Sequence, residues 1–426
     1  MNFKQYLLLQ ESNDSDDLIA RIKLSGKQAG TKYRPLQVNA ETNPSLSVVA
    51  EAFEKSGNIK VGYATIKGGE TEYPTIKKKN LYLTGPSLRK HLMGVTFTNY
   101  QCATDATPSE IRLILKGSGF VEISPKNAKS DRYLHLKDDS SDDHFYVSMF
   151  DKKGQETEIT AVVNGQKVHI ATMNTNSKCS STPPDNRDFT TSISKDAEGR
   201  CFTVDAMYIK VKSSDGDNTE LLDPMGGFRN LVDGEVKYIN QDSRSVEEDP
   251  LSALECCALS AQIVEDNTIS DKNIEIIRGS HNLYPSYEFT KKFRTDVKNV
   301  SIPTSDYLNN LKMCDLYDVL FPDLIVSRPA DVLLNNDIFV TAYLLMGNDI
   351  YSIYDNLPDV GWDKDSVMKI IYLISLGRWA KGEIELSSDL VHAPVDFEPE
   401  LIFKFLVPFG RAEQFKKILK DAREQD

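Results

Sequence analysis

Residues 81–94 read LYLTGPSLRKHLMG: a short apolar run typical of a strand, a glycine, and a segment that can start a helix. The chain continues over residues 95–119 as VTFTNYQCATDATPSEIRLILKGSG, where a second strand-like run leads to a helix. Thr107 and Pro108 suit the cap and the first turn of that helix, and the glycines after it suit its end. The order strand, helix, strand, helix predicts a sheet with helices packed against it.

Outside this stretch, the chain divides into a mixed part and a helical part. Residues 81–174 alternate strand-like runs (LYLTG, GFVEI, HFYVSMF, EITAVV, KVHIATM) with the helix that starts at Pro108. From Pro250 onward, apolar residues recur at a period near 3.6, with loop breaks around 279–285, 299–304 and 356–364. These patterns predict an α+β fold, in which a mixed-sheet head is followed by an all-helical neck and body.

The same patterns predict four segments. Residues 1–79 form an N-terminal tail with a short helical extension, SLSVVAEAFEKSG (45–57), that Gly57 ends. The head covers residues 80–240, and the helical neck and body cover residues 241–380. Residues 381–426 form a C-terminal helical tail.

The composition is that of an ordinary globular protein. Of the 426 residues, 40% are hydrophobic and 27% are charged, which excludes a wholly disordered chain. No apolar run reaches the roughly 18 residues that a membrane helix needs. Six cysteines without a CxxC pair favour reduced thiols, and six histidines show no metal-ligand spacing. We therefore expect a cytoplasmic protein without a membrane segment.

The charged residues are divided unevenly along the chain. Residues 1–240 hold 31 basic and 31 acidic side chains, whereas residues 241–426 hold 19 basic and 32 acidic ones and carry the whole net charge of −13. A surface that binds a nucleic acid backbone needs an excess of Lys and Arg. The helical half has the opposite bias, and DNA is not expected as a partner. The basic run Lys77-Lys78-Lys79 is interpreted as the solvated start of a strand.

Five stretches resemble one enzyme family, in the family's own order. They are YLTGPSLRKHLMG (82–94), DNRDFTTSISKDAEGRCFTVDAM (185–207), LDPMGGFRNLVDGEVKYI (222–239), SVEEDPLSALECCALSA (245–261) and the helical stretch 287–324. They resemble the class II CCA-adding enzymes (tRNA nucleotidyltransferases) and the bacterial poly(A) polymerases, in which the second stretch reads Arg-Arg-Asp-Phe-Thr and then Asn-Ala-Met. The resemblance implies a nucleotidyltransferase head and a helical body that cradles tRNA. It also implies addition of nucleotides to RNA 3′ ends with magnesium and ATP or CTP.

The positions that bind metal in the family are changed in this chain. The family places two aspartates on alternate residues of a strand, where they hold two metal ions. Aligning Arg89 and Gly94 with the family's arginine and glycine puts these aspartates at Asn99 and Gln101, and the third acidic position falls on His169. Amides and an imidazole are poor ligands for magnesium, which prefers hard anionic oxygens. The sequence therefore predicts no bound metal and no cofactor.

The nucleotide-binding positions of the family are also largely replaced. Pro86 stands for a glycine, Lys90 for an aspartate, Cys201 for an acidic residue, and Ser252, Glu255 and Ala258 for three arginines. Four positions remain as remnants of nucleotide binding: Gly85, Arg89, Arg200 and Asp249. The glycines and prolines that suit turns and caps are retained.

These departures predict a degenerate member that lacks transfer activity and is kept as an RNA- or protein-binding scaffold, with a partner that the sequence does not identify. The alternative is an active, divergent RNA nucleotidyltransferase that uses magnesium and ATP or CTP and draws on Asp105, Asp205 or Asp223 as metal ligands. The first twelve residues, MNFKQYLLLQES, resemble peptides that are cut after Leu-x-Glu in the heads of tailed phages. A phage origin would place the protein in the host cytoplasm or in a virion.

Overall fold

A computed structural model describes residues 20–23, 43–59, 65–67, 70–72, 75–95, 97, 99–123, 143–150, 156–175, 189–213, 220–242, 244–264, 269–299, 302–326, 336–391 and 399–423. The chain divides into two compact units. The first holds residues 1–233 and 237–240, and the second holds residues 234–236 and 241–426.

A nine-stranded mixed sheet is the framework of the first unit. The strands of this unit are β1 (Ala20–Lys23), β2 (Thr65–Lys67), β3 (Glu70–Glu72), β4 (Leu81–Thr84), β5 (Tyr100–Thr104), β6 (Val121–Glu122), β7 (His144–Phe150), β8 (Glu156–Val163), β9 (Gln166–Thr172), β10 (Tyr208–Lys210) and β11 (Glu220–Asp223). β2 and β3 pair with each other, and the others form one sheet in the order β1-β11-β10-β4-β5-β9-β8-β7-β6. The β5–β9 and β6–β7 pairs are parallel. β4 and β5, which both come from residues 81–119, therefore lie inside the sheet.

Helices cover the sheet of the first unit. They are α1 (Pro44–Glu54), α2 (Gly85–Leu92), α3 (Pro108–Gly117), α4 (Ile193–Glu198) and α5 (Gly227–Asp233). The predicted start of α3 is confirmed: the Thr107 side chain accepts the Glu110 N–H, and the Glu110 carboxylate accepts the Thr107 N–H at 2.8 Å. α1, which the sequence places in the N-terminal tail, packs against α3, β8 and β9 and buries Leu46, Val49 and Phe53.

The second unit is helical throughout its described part. Its helices are α6 (Arg244–Glu248), α7 (Ser252–Ile263), α8 (Asp271–Gly279), α9 (Ser286–Lys298), α10 (Thr304–Met313), α11 (Tyr317–Leu320), α12 (Asp337–Leu345), α13 (Ile350–Asn356), α14 (Lys364–Lys381), α15 (Ser388–Val391), α16 (Pro399–Leu406) and α17 (Ala412–Arg423). Buried aromatic rings hold the helices together, such as Phe293 with Tyr307 and Tyr343 with Phe405. Phe405 and Phe415 bring the predicted C-terminal tail into this core.

The predicted fold class, a mixed-sheet head followed by a helical body, is confirmed. The predicted breaks fall between α8 and α9, between α9 and α10, and between α13 and α14. None of the helices that the structure describes is long and apolar enough to cross a membrane. The Leu-x-Glu tripeptide at 9–11 lies outside the described residues.

The prediction of six reduced cysteines is wrong at one position. Cys201 is disulfide-bonded, whereas Cys102, Cys256, Cys257 and Cys314 are free and buried. Spacing alone does not reveal such a bond, because a disulfide depends on which residues the fold brings within bonding distance.

Candidate functional site

The chain leaves β4 through a tight turn into α2. Gly85 has a φ of +63°, a left-handed conformation that favours glycine. A Cβ atom at Gly85 would lie 3.0 Å from Gln101 Oε1 and 3.2 Å from Arg200 Nη1. The structure thus brings together three residues that the sequence singles out: the turn glycine, one degenerate metal position and one remaining arginine.

Ser87 connects α2 to both of the degenerate positions on the next strand. Its hydroxyl donates to Asn99 O at 3.1 Å and accepts the Gln101 N–H at 2.9 Å. Asn99 and Gln101 are exposed, and they lie two residues apart where β5 begins. Two neutral amides therefore occupy the place where the resemblance expects two carboxylates.

His169 lies beside Gln101, because β5 and β9 pair in parallel with these two residues in register. His169 Nδ1 is 2.9 Å from Thr160 Oγ1 and 3.4 Å from Glu158 Oε1, both on β8. The sequence analysis does not single out Glu158. The alternation of side chains along β8 could have identified it. Glu158 and Thr160 are two residues apart, so both side chains project from the face of β8 that lies beside His169.

Two of the three alternative carboxylates are engaged in contacts that hold strands and helices in place. Asp105 accepts hydrogen bonds from Asn80 N at 2.8 Å and from Asn80 Nδ2 at 3.0 Å. Asp205 pairs with Arg89 Nε at 2.8 Å. Both oxygens of Asp105 and one oxygen of Asp205 are therefore engaged by neighbours in the fold.

The third alternative carboxylate, Asp223, caps α5. It accepts hydrogen bonds from Gly227 N at 2.7 Å and Phe228 N at 2.9 Å. Burial raises the pKa of Asp223, although the backbone amides that bind it act in the other direction. A Cβ atom at Gly227 would lie only 1.9 Å from Thr203 O, so only glycine fits there. The retained Asp-Pro-x-Gly-Gly segment therefore has a structural explanation.

The donor chemistry of the degenerate positions does not fit the magnesium site that the resemblance implies. Within the described ranges, no group of three or more His, Cys, Asp or Glu side chains could hold a metal ion. Asn99 and Gln101 offer neutral amide oxygens, and His169 offers a nitrogen. Magnesium prefers hard oxygen ligands and is usually bound through carboxylates.

Arg89, one of the two remaining arginines, is used inside the fold. It is 3% exposed, and its partner Asp205 is also buried. The neighbouring Lys90 stands where the family has an aspartate. Burial lowers the pKa of Lys90, the Arg89 charge lowers it further, and Asp205 opposes them.

Arg200, the other arginine, belongs to a polar cluster around buried Asp196. Its Nη2 lies 3.3 Å from Asp196 Oδ2, its Nε donates to Tyr208 Oη at 3.0 Å, and its Nη1 donates to Asp205 O at 3.2 Å. Tyr208 Oη donates to Asp196 Oδ2 at 2.7 Å. Burial alone would lower the pKa of Arg200, but Tyr208 and Asp196 outweigh burial and raise it. Arg200 is therefore a permanent cation with most of its donors committed to the fold.

Asp249, the last remnant, lies in the second unit. The resembling family carries this motif on a single helix, whereas here Asp249 lies at the break between α6 and α7. It is 1% exposed, its Oδ1 accepts the Leu251 N–H at 3.2 Å, and its Oδ2 has no hydrogen-bond partner in the described part of the chain. Burial and the nearby charge of Glu255 raise the pKa of Asp249 to about 7. An arginine expected nearby is Ser252 here.

Comparison with known sequences agrees with the motif analysis. A sequence model described as the poly(A) polymerase head domain matches residues 141–237. The mitochondrial CCA tRNA nucleotidyltransferase 1 of Mus musculus is 22% identical over 195 residues, which are 46% of this chain and 37% of that protein. The match thus spans less than half the length of that curated relative.

Solved structures with a similar fold cover most of the chain. A tRNA-processing enzyme in an apo form has a TM-score of 0.56 at 14% identity and covers 92% of this chain and 91% of its own. A CCA-adding enzyme in an apo form gives 0.58 at 14% identity, over 88% of this chain and 82% of its own. The Bacillus stearothermophilus CCA-adding enzyme in complex with CTP gives 0.57 at 12% identity, over 88% and 81%. At these identities the likeness shows the fold.

Proposed function

We propose that this chain, which belongs to the family of CCA-adding enzymes and poly(A) polymerases, does not transfer nucleotides and serves as a binding scaffold. The observation that carries the proposal is the donor chemistry at Asn99, Gln101 and His169. Transfer of a nucleotide depends on fixed charges that stabilise the phosphoryl group, and metal ions supply most of that charge. None of these three side chains can compensate two divalent cations, so we expect neither magnesium nor a nucleotide cofactor.

The contacts of the alternative carboxylates support the same proposal. A metal ion recruited to Asp105 or Asp223 would compete with hydrogen bonds that hold β4 or cap α5. A metal ion at Asp205 would take the partner of buried Arg89. An unpaired buried charge is strongly unfavourable, so each recruitment would cost folding free energy.

We infer a protein, rather than RNA, as the partner of the helical unit. The Thermotoga maritima CCA-adding enzyme was solved in complex with tRNA. In this chain, residues 241–426 hold 19 basic and 32 acidic side chains, which opposes a phosphate backbone. A gel-shift assay of the full chain with tRNA at low salt tests this inference. A shift of tRNA that depends on residues 241–426 would contradict it. The location in the cytoplasm or in a virion stays a prediction.

Glu158 is the observation that favours the alternative, an active and divergent RNA nucleotidyltransferase. Its Oε1 lies 3.4 Å from His169 Nδ1, on the strand next to β9. In the alternative, Glu158 would supply the anionic oxygen that His169 lacks, and the amides of Asn99 and Gln101 would complete the site. Glu158 also accepts the Ser148 hydroxyl at 2.8 Å, as a structural residue would.

A primer-extension assay distinguishes the two functions. The full chain is incubated with ATP or CTP, with magnesium or manganese, and with either a tRNA that lacks its CCA end or an oligo(A) primer. We expect no extension above that of an Asn99→Ala/Gln101→Ala variant, which controls for nucleotidyltransferase carried over from the expression host. Extension that the double variant abolishes would make the proposal wrong, and further loss in Glu158→Gln would identify the carboxylate of the active alternative.

A further inference from the structure

Four lysines line a pocket at the opposite end of β4 from the Gly85 turn. The pocket is formed by Phe53, Glu54, residues 78–81 and residues 210–212, all in the first unit. β4 begins at this pocket with Leu81 and ends at the turn with Thr84. The pocket is therefore separate from the degenerate site, although one strand connects the two.

The sheet register brings the lysines of the pocket together. β4 and β10 pair antiparallel with Lys210 opposite Tyr82, and the ladder continues with Val211 N donating to Leu81 O at 2.8 Å. The segment that enters β4 carries Lys78 and Lys79, Lys210 is the last residue of β10, and Lys212 follows two residues later. In the sequence, the run Lys77-Lys78-Lys79 is interpreted as the solvated start of a strand. Two of these lysines, Lys78 and Lys79, thus line a pocket together with Lys210 and Lys212.

The backbone around the pocket is fixed before any ligand arrives. Lys79 N donates to the buried Ser56 hydroxyl at 2.9 Å, and Ser213 N donates to Glu54 Oε1 at 3.0 Å. The floor of the pocket is apolar, since Phe53, Leu81 and Val211 are all buried. Lysine side chains can lay their methylene groups over such a floor and keep their ammonium groups at the rim.

Positive charge predominates at the rim. Lys79 pairs with Glu110 at 2.8 Å, so its charge is compensated. Lys78 and Lys210 are exposed, and neither has an ion-pair partner within the part of the chain that the structure describes.

Two negative features face this pocket. One is Glu54, whose carboxylate accepts hydrogen bonds from the backbone N–H and the hydroxyl of Ser213. The other is the C-terminal end of α1, which carries a partial negative charge. The ammonium groups of Lys78 and Lys210, which have no ion-pair partner in the described part of the chain, together carry more charge than these two features, so an anion is favoured at the rim.

We propose that this pocket binds a phosphate group, either as inorganic phosphate or as a phosphodiester of an RNA strand. A lysine ammonium is a common point-charge ligand of phosphate. The pocket has a volume of about 120 Å³, below the roughly 300–1,000 Å³ of pockets that take a whole small molecule. The site therefore suits a single phosphate group and not an entire nucleotide. It does not depend on whether the chain transfers nucleotides.

The test compares a pocket variant, Lys78→Gln/Lys210→Gln, with a matched control, Lys195→Gln/Lys417→Gln. The control removes the same charge from two exposed lysines outside the pocket. Binding of inorganic phosphate is measured as a rise in melting temperature relative to sodium chloride at equal ionic strength. Binding of a fluorescein-labelled single-stranded RNA is measured by anisotropy over a series of salt concentrations. A Lys78→Arg/Lys210→Arg variant keeps the charge and should keep the binding.

We expect the pocket variant to bind phosphate about tenfold more weakly than the wild type, with the control unchanged. If RNA is the source of the phosphate, the salt slope of RNA binding also falls by about 0.7 per lost contact. If RNA binding is unchanged while phosphate binding weakens, the site takes free phosphate. The proposal is overturned if the wild type binds neither probe, or if the pocket variant and the control bind both probes equally.

Discussion

Arg89 and Asp205 form a buried ion pair, with Arg89 Nε 2.8 Å from Asp205 Oδ1 and side chains only 4% and 10% exposed. The pair joins α2, the helix that follows the Gly85 turn, to the short 3-10 turn Thr203–Asp205. The family motif that this segment resembles has asparagine in place of Asp205. In this chain the arginine next to the degenerate site is neutralised within the fold, so it is poorly placed to bind a phosphate.

The first prediction concerns this ion pair. Asp205→Asn puts the asparagine of the resembling family in this position and leaves the Arg89 charge buried without its carboxylate. Removing one partner of a buried pair typically costs about 3–5 kcal/mol. Since an amide oxygen can still accept one hydrogen bond, we expect a loss of roughly 2–4 kcal/mol in the free energy of unfolding, measured by urea denaturation.

The control for this prediction is Asp233→Asn. Asp233 pairs with Arg229 at 3.4 Å, with side chains 48% and 76% exposed. An exposed pair contributes about 0–1 kcal/mol, so the control should leave the free energy of unfolding almost unchanged. Equal stability of the two variants would show that the buried pair contributes nothing beyond an exposed one.

The second prediction concerns Gly227. A methyl group there would lie 1.9 Å from Thr203 O, a backbone atom that cannot move without displacing the turn before β10. We expect Gly227→Ala to reduce the free energy of unfolding by more than about 3 kcal/mol or to prevent accumulation of folded protein. Gly279→Ala is the matched control, because nothing lies within 4 Å of its added methyl group. If Gly227→Ala melts as the control does, the close approach of Gly227 to Thr203 O has no role in the packing of this turn.

The local elements could be predicted from the sequence. α3 is marked by its capping residues, and β7, β8 and β9 are marked by apolar runs, so each was found where the pattern places it. Such signals depend on residues close in the chain. They also place Asn99 and Gln101 at the start of β5. The glycines and caps also follow the order found in the family, so the resemblance to the family could be read from the sequence as well.

Contacts between distant segments could not be predicted. The Arg89–Asp205 pair and the position of Glu158 beside His169 both depend on which strands and turns become neighbours. The packing of α1 on the sheet is of the same kind, because its apolar face fits many partners equally well. The lysine pocket depends on the β4–β10 register, which no run of residues near Lys78 encodes.

The third prediction concerns a partly buried ion pair in the helical unit, in which the side chain of Lys292 is 31% exposed and that of Asp296 is 6% exposed. Lys292 Nζ lies 2.5 Å from Asp296 Oδ1, and Tyr307 Oη donates to Asp296 Oδ2 at 3.2 Å. Burial works to lower the pKa of Lys292, but Asp296 outweighs it and raises this pKa. Burial also raises the pKa of Asp296 against the opposing charge of Lys292, so the ion pair stabilises the fold less than a fully favourable one. We expect Asp296→Asn to cost roughly 1–2 kcal/mol in chemical denaturation, since it leaves a partly buried ammonium group without its counter-charge.

Glu413→Gln is the control for the third prediction, because Glu413 and Lys416 pair on α17 with side chains 84% and 46% exposed. This variant should change the free energy of unfolding by less than about 0.5 kcal/mol. A loss of stability as large as that of Asp296→Asn would show that burial of the pair is not what matters.

The fourth prediction is a dependence of stability on pH that comes from Asp249. Its carboxyl group is 1% exposed, and burial together with Glu255 raises its pKa to about 7. A carboxyl in an unfolded chain has a pKa of about 4, so between about pH 4 and pH 7 the folded state keeps a proton that the unfolded state loses. The stabilisation from Asp249 is therefore complete below about pH 4 and is lost as the pH rises through about 7.

Asp249→Asn removes this dependence, because an amide does not ionise. Relative to the variant, the wild type should lose roughly 2–4 kcal/mol of unfolding free energy between about pH 4 and pH 8. Urea denaturation at a series of pH values measures the difference, and Glu248→Gln, which changes an exposed neighbour, should follow the wild type. A constant difference between wild type and Asp249→Asn across this range would mean that Asp249 is ionised in the folded protein. The carboxylate oxygen without a hydrogen-bond partner in the described part of the chain would then have to be stabilised by a cation or by water.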